Sequence, residues 1–340
     1  MKHTLLGSSG MRVSELCLGT MTFGEEWGWG SSYEESKRVF DTFANAGGNF
    51  IDTANRYTEG TSEKYCGDFI RSDRERFVLA TKYSLSSKPG DPNSGGNHRK
   101  NMMQSVEASL KRLNTDYIDL YWLHAWDFTT PVGEVMRGLD DLVRSGKVLY
   151  IGISDTPAWI VSQANTIATL RGWAPFIALQ IQYSLAERTP ERDLLPMAKA
   201  FGMTVTPWGI LGSGLLTGKY NKQTKEMSRL HVTMSPTRTD TKKLQIADVI
   251  AEVAHEIGCT ASQVAIAWLR QQSGNMIPIL GARTEAQLLD NLGALSITLN
   301  SEQMKRLDEE TKVELGFPHD FLNSELVRNM VTAGCPLPRR

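Results

Sequence analysis

Four ionisable side chains in this sequence stand where apolar, strand-like runs give way to polar loops. Asp52 closes the run 50–52 and Tyr57 follows in the next loop, Lys82 closes 77–82, and His124 closes 118–124. Strand ends of this kind deliver side chains to a reaction. A free tyrosine with a pKa of about 10 exchanges protons poorly at neutral pH, but an adjacent ammonium favours phenolate and lowers that value. Lys82 is the candidate ammonium and Asp52 the carboxylate that holds it charged. His124 is placed to hydrogen-bond and orient a substrate oxygen, with Tyr57 as proton donor or acceptor. Taken singly, each has an ordinary structural role: Asp52 as a helix cap, Tyr57 as cover for apolar surface, Lys82 as a snorkelling surface lysine, His124 as a satisfied core histidine. Four such groups at the ends of three neighbouring strands favour the chemical reading.

The elements that would position them repeat along the chain. Apolar runs of strand length occupy 16–19, 50–52, 77–82, 118–124, 148–154, 177–180, 203–208 and 276–281. Helix-period segments lie near 34–46, 61–71, 99–113, 132–145, 157–170, 190–201, 260–272 and 284–294. Buried parallel strands read as continuous apolar runs and need crossover helices, so the alternation predicts an α/β fold, a closed (β/α)8 TIM barrel. Residues 3–14 predict a small β-hairpin around the turn Gly7-Ser8-Ser9-Gly10, a plug for one end of the barrel. The seventh unit carries a long loop and an extra helix over 209–257, and 301–314 reads as a helix after the eighth unit. Residues 1–340 are expected to form one domain, with a barrel core of about 15–295 and a C-terminal helical extension over 296–340. The rival, an open doubly wound sheet, normally carries GxGxxG after its first strand, and no such pattern follows Leu18. Around 209–219 the glycines come close, but Thr217 stands where the third small residue belongs, and Ser213 and Tyr220 break a P-loop pattern.

Composition narrows the class. With 41% hydrophobic and 22% charged residues, a large core can be buried without metals or disulfides. A net charge of −1, with no basic run except Arg339-Arg340, gives no electrostatic case for nucleic acid or an anionic membrane. The four cysteines are widely spaced and form no metal-binding or disulfide framework, so they read as free thiols and no metal is expected. The opening residues reach turn-forming types before any signal-like apolar region, and no apolar stretch approaches about 18 residues. The cytoplasm is the expected location.

Asp52, Tyr57, Lys82 and His124, each on its expected strand and within its surrounding motif, resemble the catalytic tetrad of the aldo-keto reductases. The resemblance runs from Gly19-Thr20-Met21 to Asn291. It implies an enzyme interconverting aldehydes or ketones with alcohols by direct hydride transfer, and a nicotinamide dinucleotide extended across the barrel mouth. The positions matching the family's cofactor contacts are Gly19, Thr20, Met21 and Asp52 at the first two strands, and Ser154 and Gln180 for the carboxamide. Trp208 matches the stacking aromatic, Gly209, Ile210, Leu211, Gly212 and Ser213 the pyrophosphate loop with Lys219 nearby, and Gly281, Arg283, Gln287 and Asn291 the adenosine site. The family usually has Asn after the serine, whereas this chain has Asp155, which removes an amide donor.

Arg283 predicts NADP(H) over NAD(H), because a guanidinium can meet a 2′-phosphate in two places. Trp27, Trp29, Tyr57, His124 and Trp126 are the expected substrate pocket, with Phe128, Phe317 and Phe321 as further candidates for an apolar wall suited to an aryl carbonyl compound. These aromatics read equally as ordinary packing. The expected partner is a small-molecule carbonyl or alcohol, and the expected assembly a monomer or weak oligomer. Two alternatives stay open: a cofactor-binding regulatory subunit resembling potassium channel β-subunits, and a lyase that uses Lys82 as a Schiff-base nucleophile, against which Asp52 argues.

Overall fold

A computed structural model describes residues 1–217 and 241–335. Strands β1 (His3–Leu5) and β2 (Arg12–Ser14) form an antiparallel hairpin. The parallel strands that follow are β3 (Cys17–Gly19), β4 (Phe50–Asp52), β5 (Val78–Tyr83), β6 (Ile118–Leu123), β7 (Val148–Ser154), β8 (Phe176–Gln182), β9 (Thr204–Trp208) and β10 (Ile279–Gly281). They run in the order β10-β3-β4-β5-β6-β7-β8-β9. The ring closes where the Val205 N–H donates to the Asn275 carbonyl and the Ile277 N–H to the Val205 carbonyl, each at 2.9 Å. This is the expected (β/α)8 barrel with its hairpin.

Helices α1 (Tyr33–Asn45), α2 (Thr61–Ile70), α3 (Arg99–Leu113), α4 (Val132–Arg144), α5 (Ala158–Arg171) and α6 (Leu194–Ala200) cross between successive strands. They are followed by α7 (Thr241–Ile257), α8 (Ala261–Arg270), α9 (Glu285–Leu292), α10 (Ser301–Glu310), α11 (His319–Asn323) and α12 (Glu325–Val331). Their ends follow from local chemistry. Thr260 with Gln263 and Asn300 with Gln303 make reciprocal capping boxes at the starts of α8 and α10, and Asn114 and Gly172 stop α3 and α5 in the left-handed conformation. Two sequence boundaries move for identifiable reasons. Pro190 sets a short 3-10 turn at Thr189–Glu191, which delays α6 to Leu194. Pro278 lacks a donor, so the run 276–281 divides into an isolated bridge at Met276 and the strand β10.

The barrel interior is filled by Cys17, Phe50, Ala80, Leu120, Trp122, Ala178 and Ile277, and Leu6 and Val13 of the hairpin enter the same apolar cluster. The hairpin therefore plugs the end opposite the strand C-termini. At its turn the Gly7 N–H donates to the Thr204 hydroxyl at 2.6 Å, and Gly7 takes φ 56°. A Cβ there would lie 2.0 Å from the Ile177 carbonyl oxygen, a backbone atom with no room to yield. Gly7→Ala is expected to destabilise the fold by about 2–4 kcal/mol through that clash and the positive φ. Thermal or urea unfolding checks it, and a change within about 0.5 kcal/mol would show that the plug does not stabilise the barrel.

Strand register brings the chemical residues to one level. Gly19 pairs with Asp52, Ser154 with Gln180 and Gln180 with Thr206. No helix among the described residues is long and apolar enough to cross a membrane.

Candidate active site

The centre of the barrel mouth is an ion pair. Lys82, 0% exposed on β5, donates to Asp52 Oδ2 at 2.5 Å and to the Thr53 carbonyl at 2.8 Å. Burial works against its charge, yet the Asp52 carboxylate and the Tyr57 oxygen outweigh burial and hold the ammonium above its usual pKa. The other Asp52 oxygen accepts from Gln180 Nε2 at 2.9 Å. Asp52 is thereby fixed from both sides, and the amide nitrogen of Gln180 is engaged with the tetrad, leaving its oxygen as the end able to meet a carboxamide N–H.

Tyr57 begins the short 3-10 turn Tyr57–Gly60, and its phenol oxygen accepts from Lys82 Nζ at 3.2 Å. The next two residues, Thr58 and Glu59, are held in the left-handed region at φ 45° and 56°, which is costly for a β-branched residue. Neighbouring contacts hold this strained turn in place. The Thr58 hydroxyl donates to the Phe23 carbonyl at 2.5 Å, Trp27 Nε1 donates to Glu59 Oε1 at 3.2 Å, and Arg56 pairs with the same Glu59 carboxylate. Trp27 also packs against Trp29, with ring centroids 5.5 Å apart, so the pair is anchored to the turn that carries Tyr57 through Trp27.

The expected depression of the Tyr57 pKa is not what the structure gives. Burial raises it, and although the Lys82 charge pulls it down, the Asp52 and Asp155 carboxylates add to burial, so the phenol lies above its ordinary value. Tyr57 therefore rests as a neutral phenol. His124 follows the end of β6, and its ring meets that of Tyr57 edge to face at 5.9 Å. Burial, helped by the Lys82 charge, holds the imidazole well below its usual pKa, so it too is uncharged. Its backbone N–H donates to the Tyr83 carbonyl at 3.0 Å and to Ser84 Oγ at 3.3 Å, while Nδ1 is buried without a hydrogen-bond partner. Two residues that sequence reasoning missed support this corner. Asn97 and Asp127 exchange backbone and side-chain hydrogen bonds at 2.7 and 2.8 Å, which clasps the loop before α3 to the loop carrying Trp126. Asn97 also donates to Ser84 Oγ at 2.9 Å.

Around the rest of the mouth stand the residues that resemble a cofactor site. Ser154 ends β7 with its hydroxyl buried beside the Asp155 carboxylate, whose pKa it helps to lower, but with no hydrogen bond of good geometry, so it has capacity for a further partner. Trp208 ends β9, and its indole N–H donates to Asp155 Oδ1 at 3.2 Å. The loop after it takes left-handed backbone at Gly209, Gly212, Ser213 and Gly214, the curled geometry in which successive N–H groups face an anion; Ile210 and Leu211 lie within it. Lys219 lies outside the described residues. Gly281 ends β10, and α9 begins after Thr284, its N-cap, with Asn291 buried near its end. Arg283 is exposed, its backbone N–H donating to Gln287 Oε1 at 2.9 Å. Glu35 of α1 accepts the Glu285 N–H at 2.7 Å, an acidic neighbour at the start of α9 that no motif announces. Thr20 is fully buried and its hydroxyl bonds the Asp52 carbonyl at 3.0 Å, so beside Gly19 and half-buried Met21 it shapes the floor under the tetrad. A buried serine hydroxyl, a half-buried indole, a curled glycine loop and a helix N-terminus around one mouth suit a nicotinamide dinucleotide.

Of the aromatic candidates, Trp126 is half-buried beside His124, and Phe128 is exposed at the tip of its loop. Phe317 and Phe321 pack on each other at 6.1 Å and remain 85% and 56% exposed, so they have not closed onto a core.

The aldo/keto reductase family model matches residues 15–312. A norsolorinic acid reductase of Aspergillus flavus is 41% identical over 331 residues, covering 94% of this chain and 84% of its own. An aryl-alcohol dehydrogenase [NADP(+)] of Phanerodontia chrysosporium is 39% identical over 329 residues, covering 91% of this chain and 86% of its own. The barrel, the site at its mouth and these matches agree: the chain belongs to the aldo/keto reductase family and is an oxidoreductase acting between carbonyl compounds and alcohols.

Proposed function

We propose that this enzyme is NADP(H)-dependent, with Tyr57 as the proton donor in reduction and an aryl aldehyde, ketone or alcohol as substrate. The observation that carries the reading is the chain Asp52–Lys82–Tyr57, with hydrogen bonds of 2.5 and 3.2 Å ending on a neutral phenol beside an uncharged imidazole. When bound, the nicotinamide supplies or accepts the hydride. The protein's part is to hold the carbonyl oxygen between Tyr57 and His124, and to deliver the Tyr57 proton as negative charge develops there. The phenolate left behind is stabilised by Lys82, whose ammonium is held, against burial, above its usual pKa by the Asp52 carboxylate. In the oxidative direction the same phenol oxygen receives the alcohol proton.

Ser154, the Gln180 oxygen and Trp208 would hold the nicotinamide end, the loop 209–213 the pyrophosphate, and Arg283 with the start of α9 the 2′-phosphate. The aryl preference rests on the Trp27–Trp29 pair, anchored to the Tyr57 turn through Trp27, and on the name of the Phanerodontia relative. Cys17 and Cys66 are buried free thiols, which suits a reducing compartment such as the cytoplasm. A monomer or weak oligomer remains the expected assembly.

Turnover of a panel of aryl and alkyl aldehydes, followed by nicotinamide absorbance, tests the reading. A charge-assisted contact worth roughly 1.5–3 kcal/mol corresponds to a preference for NADPH over NADH of about 10- to 100-fold. Glu35 and Glu285 at the same helix start temper it, so the lower end is expected. Arg283→Ala should bring the two cofactors together. Binding of NADPH with negligible turnover across the panel would favour a cofactor-binding regulatory protein instead. An unchanged cofactor ratio in the variant would reduce Arg283 to a surface residue.

A further inference from the structure

Asp155 is more tightly placed than a mouth-loop residue needs to be. It takes φ 39°, a left-handed conformation that Asp tolerates better than most residues. Its N–H donates to the Gln180 carbonyl at 3.2 Å, and its own carbonyl accepts from the Trp126 N–H at 3.5 Å. Its side chain accepts from the Trp208 indole at 3.2 Å. Backbone and carboxylate are thus both fixed, between Ser154 and the aromatic face assigned to the nicotinamide.

The charges facing it are few. Lys82 from β5 is the cation in range, but its charge is matched by Asp52 in the buried pair. Tyr57 and His124 are both neutral, for the reasons given above. Gln180 and Trp126 present backbone groups and Trp208 an indole N–H, none of them charged. Among the described residues at this end of the mouth, Asp155 therefore carries the unmatched charge, and its field reaches the phenol of Tyr57, which it helps to raise.

Resting on the cofactor reading above, we infer that Asp155 sets the balance between the two redox forms of the cofactor: its fixed carboxylate favours binding of the oxidised, cationic nicotinamide over the neutral reduced ring. The oxidised ring carries a positive charge that hydride addition removes, so a fixed anion nearby stabilises one form and is indifferent to the other. An Asn in this place keeps an acceptor for Trp208 but has no such preference. The Asp155 side chain is open to solvent yet crowded by protein, and that partial burial, against the opposing Trp208 hydrogen bond and Lys82 charge, pushes its carboxyl up to about 6. It is therefore ionised at pH 8 and loses its charge progressively as the pH falls through about 6.

The test is fluorescence titration of NADP and NADPH separately, on wild type and Asp155→Asn, without substrate, at pH 8 and pH 5.5. At pH 8 the variant should lose about 3- to 10-fold in affinity for NADP relative to NADPH. Lowering the pH should move the wild-type ratio toward that of the variant and leave the variant's own ratio flat. The 2′-phosphate titrates alike in both forms and cancels in the ratio. A variant ratio within about twofold of wild type at pH 8, or a wild-type ratio that ignores pH, overturns the inference. The wild-type pH comparison stands by itself if the variant does not fold. If wild type binds neither form, the cofactor reading itself has failed.

Discussion

Tyr57→Phe is expected to lower turnover by at least about 100-fold while leaving cofactor affinity little changed. The substitution keeps the ring, its edge-to-face contact with His124 at 5.9 Å and the Lys82 ammonium 4.7 Å above its centroid. What it removes is the oxygen that Lys82 reaches at 3.2 Å. Because Tyr57 is a neutral phenol in the resting site, the loss should be marked in carbonyl reduction, where that proton is used directly. Steady-state rates in both directions, with cofactor binding measured separately, check it. Turnover near wild type would transfer the proton to another donor, with His124 the nearest ring.

Lys82→Met should act on chemistry and stability together. The Lys82 charge is a large force holding the Tyr57 pKa down against burial and the Asp52 and Asp155 carboxylates. Without it the phenol pKa rises further, so in alcohol oxidation, which needs the deprotonated oxygen, the pH at which the rate climbs should move upward. The Asp52 carboxylate, nearly fully buried, would keep only the Gln180 amide at 2.9 Å. Breaking a buried pair from one side costs about 3–5 kcal/mol, and the unfolding midpoint should fall accordingly. A pH–rate profile that stays in place would separate Lys82 from the phenol, whatever happens to stability.

Much of the barrel was legible because its strands are buried on both faces and read as unbroken apolar runs, as in 148–154, whose bounds match β7 to the residue. That Asp52, Tyr57, Lys82 and His124 would meet was legible for a related reason, since an ionisable side chain closing such a run stands out against it. What could not be read depends on distances that exist only once the ring has closed. Gln180 and Asp52 are 128 residues apart and meet across the mouth. Glu35 reaches α9 from the first helix unit, and Asn97 clasps Asp127 between two loops with no periodic pattern. The direction of the Tyr57 pKa was misread because a neighbouring ammonium can be guessed from sequence, whereas the degree of burial opposing it cannot. The left-handed turn at Thr58 and Glu59 had no signal either, since neither is a residue type that announces positive φ.

The hairpin at the closed end ties folding of residues 3–14 to that of the last strands. The Leu5 carbonyl accepts from Asn275 Nδ2, which also reaches the Thr204 hydroxyl that Gly7 uses, each contact at 2.6 Å. Leu5 and Asn275 lie 270 residues apart and Gly7 and Thr204 197, so docking of the plug against the last strands is a late event in assembly. Until then a nascent half-barrel has an open apolar floor and an unpaired β3 edge, the surfaces on which incomplete parallel sheets associate wrongly. Synthesis of this chain should accordingly be more sensitive to chaperone supply than the stability of the finished barrel would suggest.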